Sequence, residues 1–376
     1  MNPTPRIPII DFLRGLSCLG VLLYHVRVEL WVGWWQIRWY PQEYSSFTKA
    51  MAWLSVPTPF LGYAILLFFL ISGFCIHYPN TARNTNPCWK TYFIRRFLRI
   101  YPAYLGALIL TAGISFLCFK LWGDKTWDIE RVLRVATLTQ NYPPGNGQFL
   151  SNPSLWTIPL ELEFYILYPL AFCLFSKMRS SMLWILSLSV SVISIYLSQQ
   201  GQNWLSFTAL FLWPSWLLGA WVSQLYRNQK LGSFKLYYQV PVITISLSFA
   251  LVSRYQDWES WAQYIAWTVF YLFFFIFCLS QSNLLSRIIG RRILGWISWI
   301  GKISFSLYLI HFPLFKLFGY LHRDFWGEKP ANFLVPLLYL IPVIFLAWLF
   351  YRWLENPIHQ WSKKKINRDL YLDFDR

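Results

Sequence analysis

Ten apolar runs of about 18 residues recur along this 376-residue chain, most of them long enough to cross the hydrocarbon core of a bilayer as a helix. They lie near residues 9–29, 57–78, 97–118, 160–176, 182–198, 206–225, 238–253, 262–280, 298–320 and 333–354. In a soluble protein such runs are buried core helices, but a chain of this length has no water-shielded interior for ten of them. Composition agrees. Charged residues make up 13%, where soluble domains carry about 25%, and mean hydropathy is +0.38. The expected fold class is therefore all-α, a polytopic integral membrane protein built as a bundle of about ten transmembrane helices. With no tandem repeat and no Ser/Gly/Pro-rich linker between two halves, residues 1–358 read as one transmembrane domain and 359–376 as a short basic tail.

A net charge of +17 follows the loops rather than one face, so it reads as topology and not as a nucleic-acid surface. Alternate connections carry Arg83, Lys90, Arg95, Arg96 and Arg99, then Lys177 and Arg179, then Arg227, Lys230 and Lys235, then Arg287, Arg291 and Arg292, with no acidic residue among them. The other loops mix signs. The positive-inside rule then places the first set in the cytoplasm, with both termini, where Arg6, Lys363, Lys364, Lys365 and Arg368 lie. The longest hydrophilic connection, 119–158, falls on the outer side and reads as a lid or acceptor contact. Asp11, Arg14 and His25 within the first run argue against a removable signal peptide. Six cysteines without CxxC spacing read as small apolar packing residues. The abundant tryptophans read first as interfacial belts, with Trp127 and Trp156 beside the long loop as candidates for sugar stacking.

Ionisable groups inside spans cost about 2.5 to 3.5 kcal/mol each and need a reason. Arg14 and His25 are eleven residues apart in the first span, which puts them on nearly the same helix face, roughly 16 Å apart along the axis. Alone, Arg14 is an anchor paired with Asp11 and His25 a packing residue; together they suit a cleft whose ligand has an anionic cytoplasmic head and a reactive outer tip. The fourth span opens SLWTIPLELEFY, with Glu161 expected level with His25, where a carboxylate orients an imidazole that serves as general base. The alternative is a carboxylate stabilised by the helix N-terminus. Arg96 and Arg99, one turn apart in RRFLRIYP, either grip phosphates or anchor the helix. Ser72 and Gly73 in FFLISGF read as close helix packing. His311 lies in the outer half of the ninth span as a second candidate base.

At these residues the chain resembles the acyltransferase 3 family of bacterial multipass membrane proteins. Five segments carry the resemblance in order, IIDFLRGLSCLGVLLYH, FFLISGF, RRFLRIYP, LWTIPLELEFY and ISFSLYLIHFPLF, the last with Ser304, Tyr308 and His311. WLENPI is similar to the family's closing Glu-x-Pro. The resemblance implies an O-acyltransferase that moves an acetyl or other short acyl group from a cytoplasmic acyl-CoA, acetyl-CoA for instance, to a hydroxyl of an extracytoplasmic carbohydrate or glycolipid. It implies Arg14, Arg96 and Arg99 as donor-binding residues and His25 with Glu161 as the catalytic pair. No metal is expected. The chain departs from the family's SLSVEEQFY at Pro159, Leu162 and Glu163, so Glu163 is not carried over. Membrane lipids surround such a protein in the inner (plasma) membrane, and the acceptor is expected to reach the membrane domain directly or through a partner protein or a second copy. The rival class is a transporter or flippase for a lipid-linked sugar or small metabolite, which would show repetition between halves and helices broken at midplane; neither is evident.

Overall fold

The computed structural model describes residues 7–81, 87–144, 151–177, 180–233 and 235–364. Arg6, Arg83, Arg179, Lys365 and Arg368, part of the long loop (145–150) and most of the basic tail (365–376) lie outside the described residues, as does the side chain of Lys177. Among the described residues there is no β-strand, and ten helical stretches are long and apolar enough to cross a membrane. In chain order the helices are α1 (Pro8–Leu30), α2 (Trp34–Trp39), α3 (Ser46–Ala52), α4 (Ile65–His77), α5 (Trp89–Trp122), α6 (Ile129–Ala136), α7 (Thr157–Lys177) and α8 (Ser180–Gln199). There follow α9 (Ala209–Arg227), α10 (Leu236–Tyr255), α11 (Ser260–Ser280), α12 (Ser282–Ile289), α13 (Arg291–Trp326), α14 (Leu334–Leu338) and α15 (Leu340–Phe350). The last runs on through a π-helical turn, Tyr351–Glu355, to residue 364. Each apolar run of the sequence is matched by one of the ten stretches. α5 and α13 reach beyond their runs, so that Arg95, Arg96 and Arg99 are helical residues.

Two compact units divide the chain. The first comprises Met1–Val21, Phe60–Pro87 and Leu167–Ser304. Lipid tails are as apolar as leucine, so helices here associate through backbone approach rather than by leaving water. Gly73 and Gly219 show it: a Cβ on the former would run into the Trp216 carbonyl, and one on the latter into the Leu70 carbonyl, so α4 and α9 cross backbone to backbone. Beside that crossing the Trp216 indole N–H donates to Ser72 Oγ at 3.1 Å. Ser72 and Gly73 are thus packing residues, as their small size implied.

The second unit comprises Leu22–Pro59, Cys88–Ile166 and Phe305–Arg376. Its long element is α5, and the chain that leaves α5 at Gly123 folds back along it. Ser151 Oγ lies 2.5 Å from Ser115 Oγ, Asn152 Nδ2 donates to Thr111 Oγ1 at 3.3 Å, and the Tyr104 and Tyr101 hydroxyls donate to the carbonyls of Val135 (2.7 Å) and Ala136 (3.1 Å). Asp128 caps α6, accepting from the N–H of Glu130 at 2.9 Å. The described part of 119–158 thus packs along α5, its irregular backbone and polar side chains finding their partners within the protein.

Candidate active site

Pro313 lies two residues after His311 within α13. Proline has no N–H, so the Leu309 carbonyl loses its helical partner. Asn152, fully buried, fills the vacancy with Nδ2 at 2.9 Å. That bond and the one to Thr111 tie the SNPS turn before α7 to the middles of α13 and α5. Ser154 is thereby set against His311, its Oγ 3.4 Å from Nε2, and its carbonyl accepts from the Tyr308 hydroxyl at 2.7 Å. The same hydroxyl lies 2.8 Å from Thr157 Oγ1.

His311 is completely buried. Its Nδ1 lies 2.7 Å from the Tyr308 carbonyl and 3.2 Å from that of Leu307. A carbonyl only accepts, so Nδ1 carries the proton and Nε2 presents its lone pair. That lone pair faces His25 Nδ1 at 2.9 Å. His25 therefore donates from Nδ1, and its own Nε2 is left as an unprotonated base. Ring contacts fix the imidazole as well: it stacks on His311 at 5.0 Å and meets Tyr24 and Phe312 edge-on at 5.1 and 5.2 Å.

Arg96 occupies another level of the unit. Its guanidinium lies over the Tyr92 ring (5.7 Å) and the Tyr165 ring (5.6 Å). The Tyr165 hydroxyl hydrogen-bonds Glu161 and lies in the field of Arg96 and Arg99. Arg96 precedes Thr111, which marks the level of the histidines, by fifteen residues, about 22 Å along α5. α7 begins at Thr157 beside Tyr308 and carries Glu161 one helical turn further on, where it is hydrogen-bonded by the Tyr165 hydroxyl, while His25 Nδ1 is held by His311. Glu163 instead accepts from the Tyr142 hydroxyl at 2.6 Å. Arg14, in the first unit, pairs with Asp11 at 3.8 Å and donates to Cys75 Sγ at 3.3 Å.

On the other side of the histidines, Lys316 binds Asp124 at 2.5 Å and also donates to Thr126 Oγ1. Burial raises the Asp124 carboxyl, but the Lys316 hydrogen bond, with that of the Thr126 N–H at 2.9 Å, outweighs it and holds the group below the usual carboxylate range. Trp127 packs edge-on against Phe116 at 5.3 Å, and the Trp156 carbonyl accepts from Asn141 at 2.7 Å.

Residues 7–352 match the acyltransferase domain that defines the acyltransferase 3 family. The chain belongs to that family. It is 24% identical to the O-acetyltransferase OatA of Staphylococcus aureus strains NCTC 8325 / PS 47, COL and MRSA252, over 95% of this chain and 58% of each relative. This chain thus spans a little less than three fifths of the length of those relatives. No solved structure matches it.

The sequence singled out His25, His311, Arg96 and Arg99, and the structure brings the two histidines together; Asn152 and Ser154, which it sets against Leu309 and His311, were not among the candidates. Pro313 was the available signal, since a proline inside a span orphans a carbonyl that some side chain must satisfy.

Proposed function

We propose that this chain is an O-acyltransferase that moves an acetyl or other short acyl group from acyl-CoA to a carbohydrate hydroxyl, with His25 as general base. The observation that carries the reading is the relay from the Tyr308 carbonyl through His311 to His25, which leaves one imidazole lone pair spare. His25 Nε2 takes the proton of the acceptor hydroxyl as its oxygen attacks the thioester carbonyl. The C–S bond breaks, and the departing thiolate takes the proton back from His25, so acyl-CoA and alcohol give ester and free CoA. His311 holds the ring and shares the charge that forms on it.

Arg96 and Arg99 hold the donor's phosphates, separated from the histidines by a span suited to an extended phosphopantetheine arm. Arg14 joins the donor-binding set on the strength of its spacing from His25 in the sequence, and Glu161 positions the arginine end through Tyr165. The basic loops favour both termini in the cytoplasm of a bacterial inner membrane, with the acceptor glycan entering from the opposite side. The relatives' name, O-acetyltransferase, supports acetyl as the transferred group. To test the reading, purified protein is incubated with acetyl-CoA labelled in its acetyl group and a panel of glycans. Mass spectrometry should find the label as an ester on a sugar hydroxyl. No transfer to any glycan, with label remaining on CoA, would remove the assignment.

A further inference from the structure

α1 carries a second ionisable residue on the face that bears the base. Glu29 follows His25 by four residues, so it lies about 40° round the helix and about 6 Å further along it. The backbone there is held against α13 at Gly319, where a Cβ would come within 3.3 Å of the Leu30 side chain and 3.7 Å of the Glu29 carbonyl. A carboxylate at the end of a span needs a reason, and packing supplies none. Glu29 is half-buried, and among the described residues its side chain makes no hydrogen bond and no salt bridge. The charges acting on it are those of Lys329, Lys316, Arg323 and Asp124. Each of these cations has another contact: Lys329 donates to the Val28 carbonyl at 3.5 Å, Lys316 is bound to Asp124, and Arg323 donates to the Gly319 carbonyl at 3.3 Å with its guanidinium over the Tyr320 ring.

Asp124 and Lys316 lie on the side of the histidines away from the arginines, and Glu29 belongs with them. The wall of this mouth is aromatic. Trp122 stacks on Tyr320 at 5.0 Å and donates its indole N–H to Asp324 at 2.7 Å, while the Tyr320 hydroxyl hydrogen-bonds Asp124. Asp124 and Arg323 neighbour both Tyr320 and Glu29, so the carboxylate and the aromatic wall share one mouth. Aromatic faces with a few placed polar groups are what a small-molecule site offers.

We propose that Glu29 binds the acceptor, its carboxylate accepting a hydrogen bond from the sugar hydroxyl next to the one that His25 deprotonates. The inference rests on the acyltransferase reading above and adds to it a residue that recognises the acceptor, and the feature recognised: a neutral sugar unit with two adjacent free hydroxyls. Two considerations select this group. A carboxylate only accepts, so its ligand must donate, and the neighbouring Lys329, Lys316 and Arg323 repel an ammonium but not a hydroxyl. In addition, the rise of about 6 Å between His25 and Glu29 is bridged by one sugar ring, so a residue at this place reads the unit that reacts rather than a remote part of the glycan.

The test measures steady-state acylation by the full chain in lipid nanodiscs, with acetyl-CoA as donor and the methyl glycosides of glucose, galactose, mannose and N-acetylglucosamine as acceptors. On the glycoside that the parent acylates best, Glu29→Ala should raise acceptor KM by about tenfold or more, the loss of a charge-assisted hydrogen bond, with donor KM little changed. Glu29→Gln keeps the shape and an accepting oxygen but not the charge, and should raise acceptor KM less. The sugar supplies the second arm. A monodeoxy analogue lacking the hydroxyl beside the acylated position should cost the parent a similar factor in kcat/KM and cost Glu29→Ala nothing further. Equal acceptor KM in the parent and both variants would overturn the proposal, as would a Glu29→Ala protein that loses the full factor again on the deoxy analogue. A rise in donor KM as large as that in acceptor KM would make Glu29 a support of the whole unit and overturn it too. Acylation of none of the four glycosides by a parent that still acylates a glycan of the larger panel would refute recognition of a single sugar unit and leave the acyltransferase reading standing. Acylation of nothing in either set would remove both.

Discussion

Two histidines, His77 and His25, differ in how their ring nitrogens are occupied. His77, in the first unit, is buried with both nitrogens engaged: Nδ1 lies 3.2 Å from the Tyr168 hydroxyl and Nε2 3.0 Å from Gln224 Nε2. An imidazole satisfied on both sides can hold helices together and do little else. His25, in the second unit, has one nitrogen held by His311 and, among the described residues, the other spare. Its orientation is therefore fixed at no loss of basic capacity, the combination a general base requires. His77 is buried and His25 half-buried, but the count of satisfied nitrogens is the difference that bears on chemistry.

The sharpest way to break this comparison is to remove both rings. General-base catalysis typically contributes 10²- to 10⁴-fold, so His25→Gln should lower kcat by about that factor with donor KM little changed. His77→Gln should act on melting temperature and leave kcat within a few-fold. A large kcat loss in the His77 variant at unchanged stability would end the distinction. His311→Gln comes next. It keeps a polar group in place but not the oriented acceptor that holds the His25 proton on Nδ1, so about 10- to 100-fold in kcat is expected, as for a partner that orients rather than transfers. Steady-state rates with acetyl-CoA would rank the three.

Arg96 sharpens the comparison from the donor end. Arg96→Ala and Arg99→Ala remove contacts remote from the reacting carbonyl, so they should raise donor KM by about tenfold or more and reduce kcat less. Equal donor affinity in parent and variants, measured on folded protein, would return both residues to anchoring the helix.

Much of this architecture is legible from the sequence because bilayer thickness sets a length that apolar runs must meet; all ten runs have their helices. Arg96, Arg99, His25 and His311 stand out because charge within or beside a span is costly. Their association is another matter. His25 and His311 are 286 residues apart in the chain, and no local pattern says that they share a hydrogen bond. The packing of the 119–158 connection was opaque for a related reason. Hydropathy reports that 119–158 is polar, while its position depends on partners such as Tyr101, Tyr104 and Thr111 on a different element.

Asn152 is where the missed residues meet stability. Truncating it leaves the Leu309 carbonyl, which Pro313 deprives of a helical donor, buried without a partner. Asn152→Ala should cost about 1–3 kcal/mol in unfolding, read as a lower melting temperature. Replacing Pro313 with alanine in the same chain restores the N–H and should recover part of the loss. The coupling between the two substitutions is the diagnostic quantity, and strict additivity would show that the proline-orphaned carbonyl is not what Asn152 serves.

The smallest expected effect concerns Asp124, on the side of the histidines away from the arginines. Its carboxyl is raised by burial but held below the usual carboxylate range by Lys316 and the Thr126 N–H. A group whose folded value lies below its unfolded one stabilises the protein at pH above the unfolded value, about 3.9. That contribution is lost as pH falls through the lower folded value. The melting temperature of the parent should therefore decline below about pH 4 more steeply than that of Asp124→Asn, which has no carboxyl there to protonate. At neutral pH the parent should melt higher than the variant, because the variant leaves Lys316 without its anion. Because the pair sits at the turn that feeds Ser151 and Asn152 towards the histidines, kcat at neutral pH should fall modestly in the variant while the His77 variant leaves it alone. Parallel acid melting of parent and Asp124→Asn would show that Lys316 does not hold the carboxylate in its charged form.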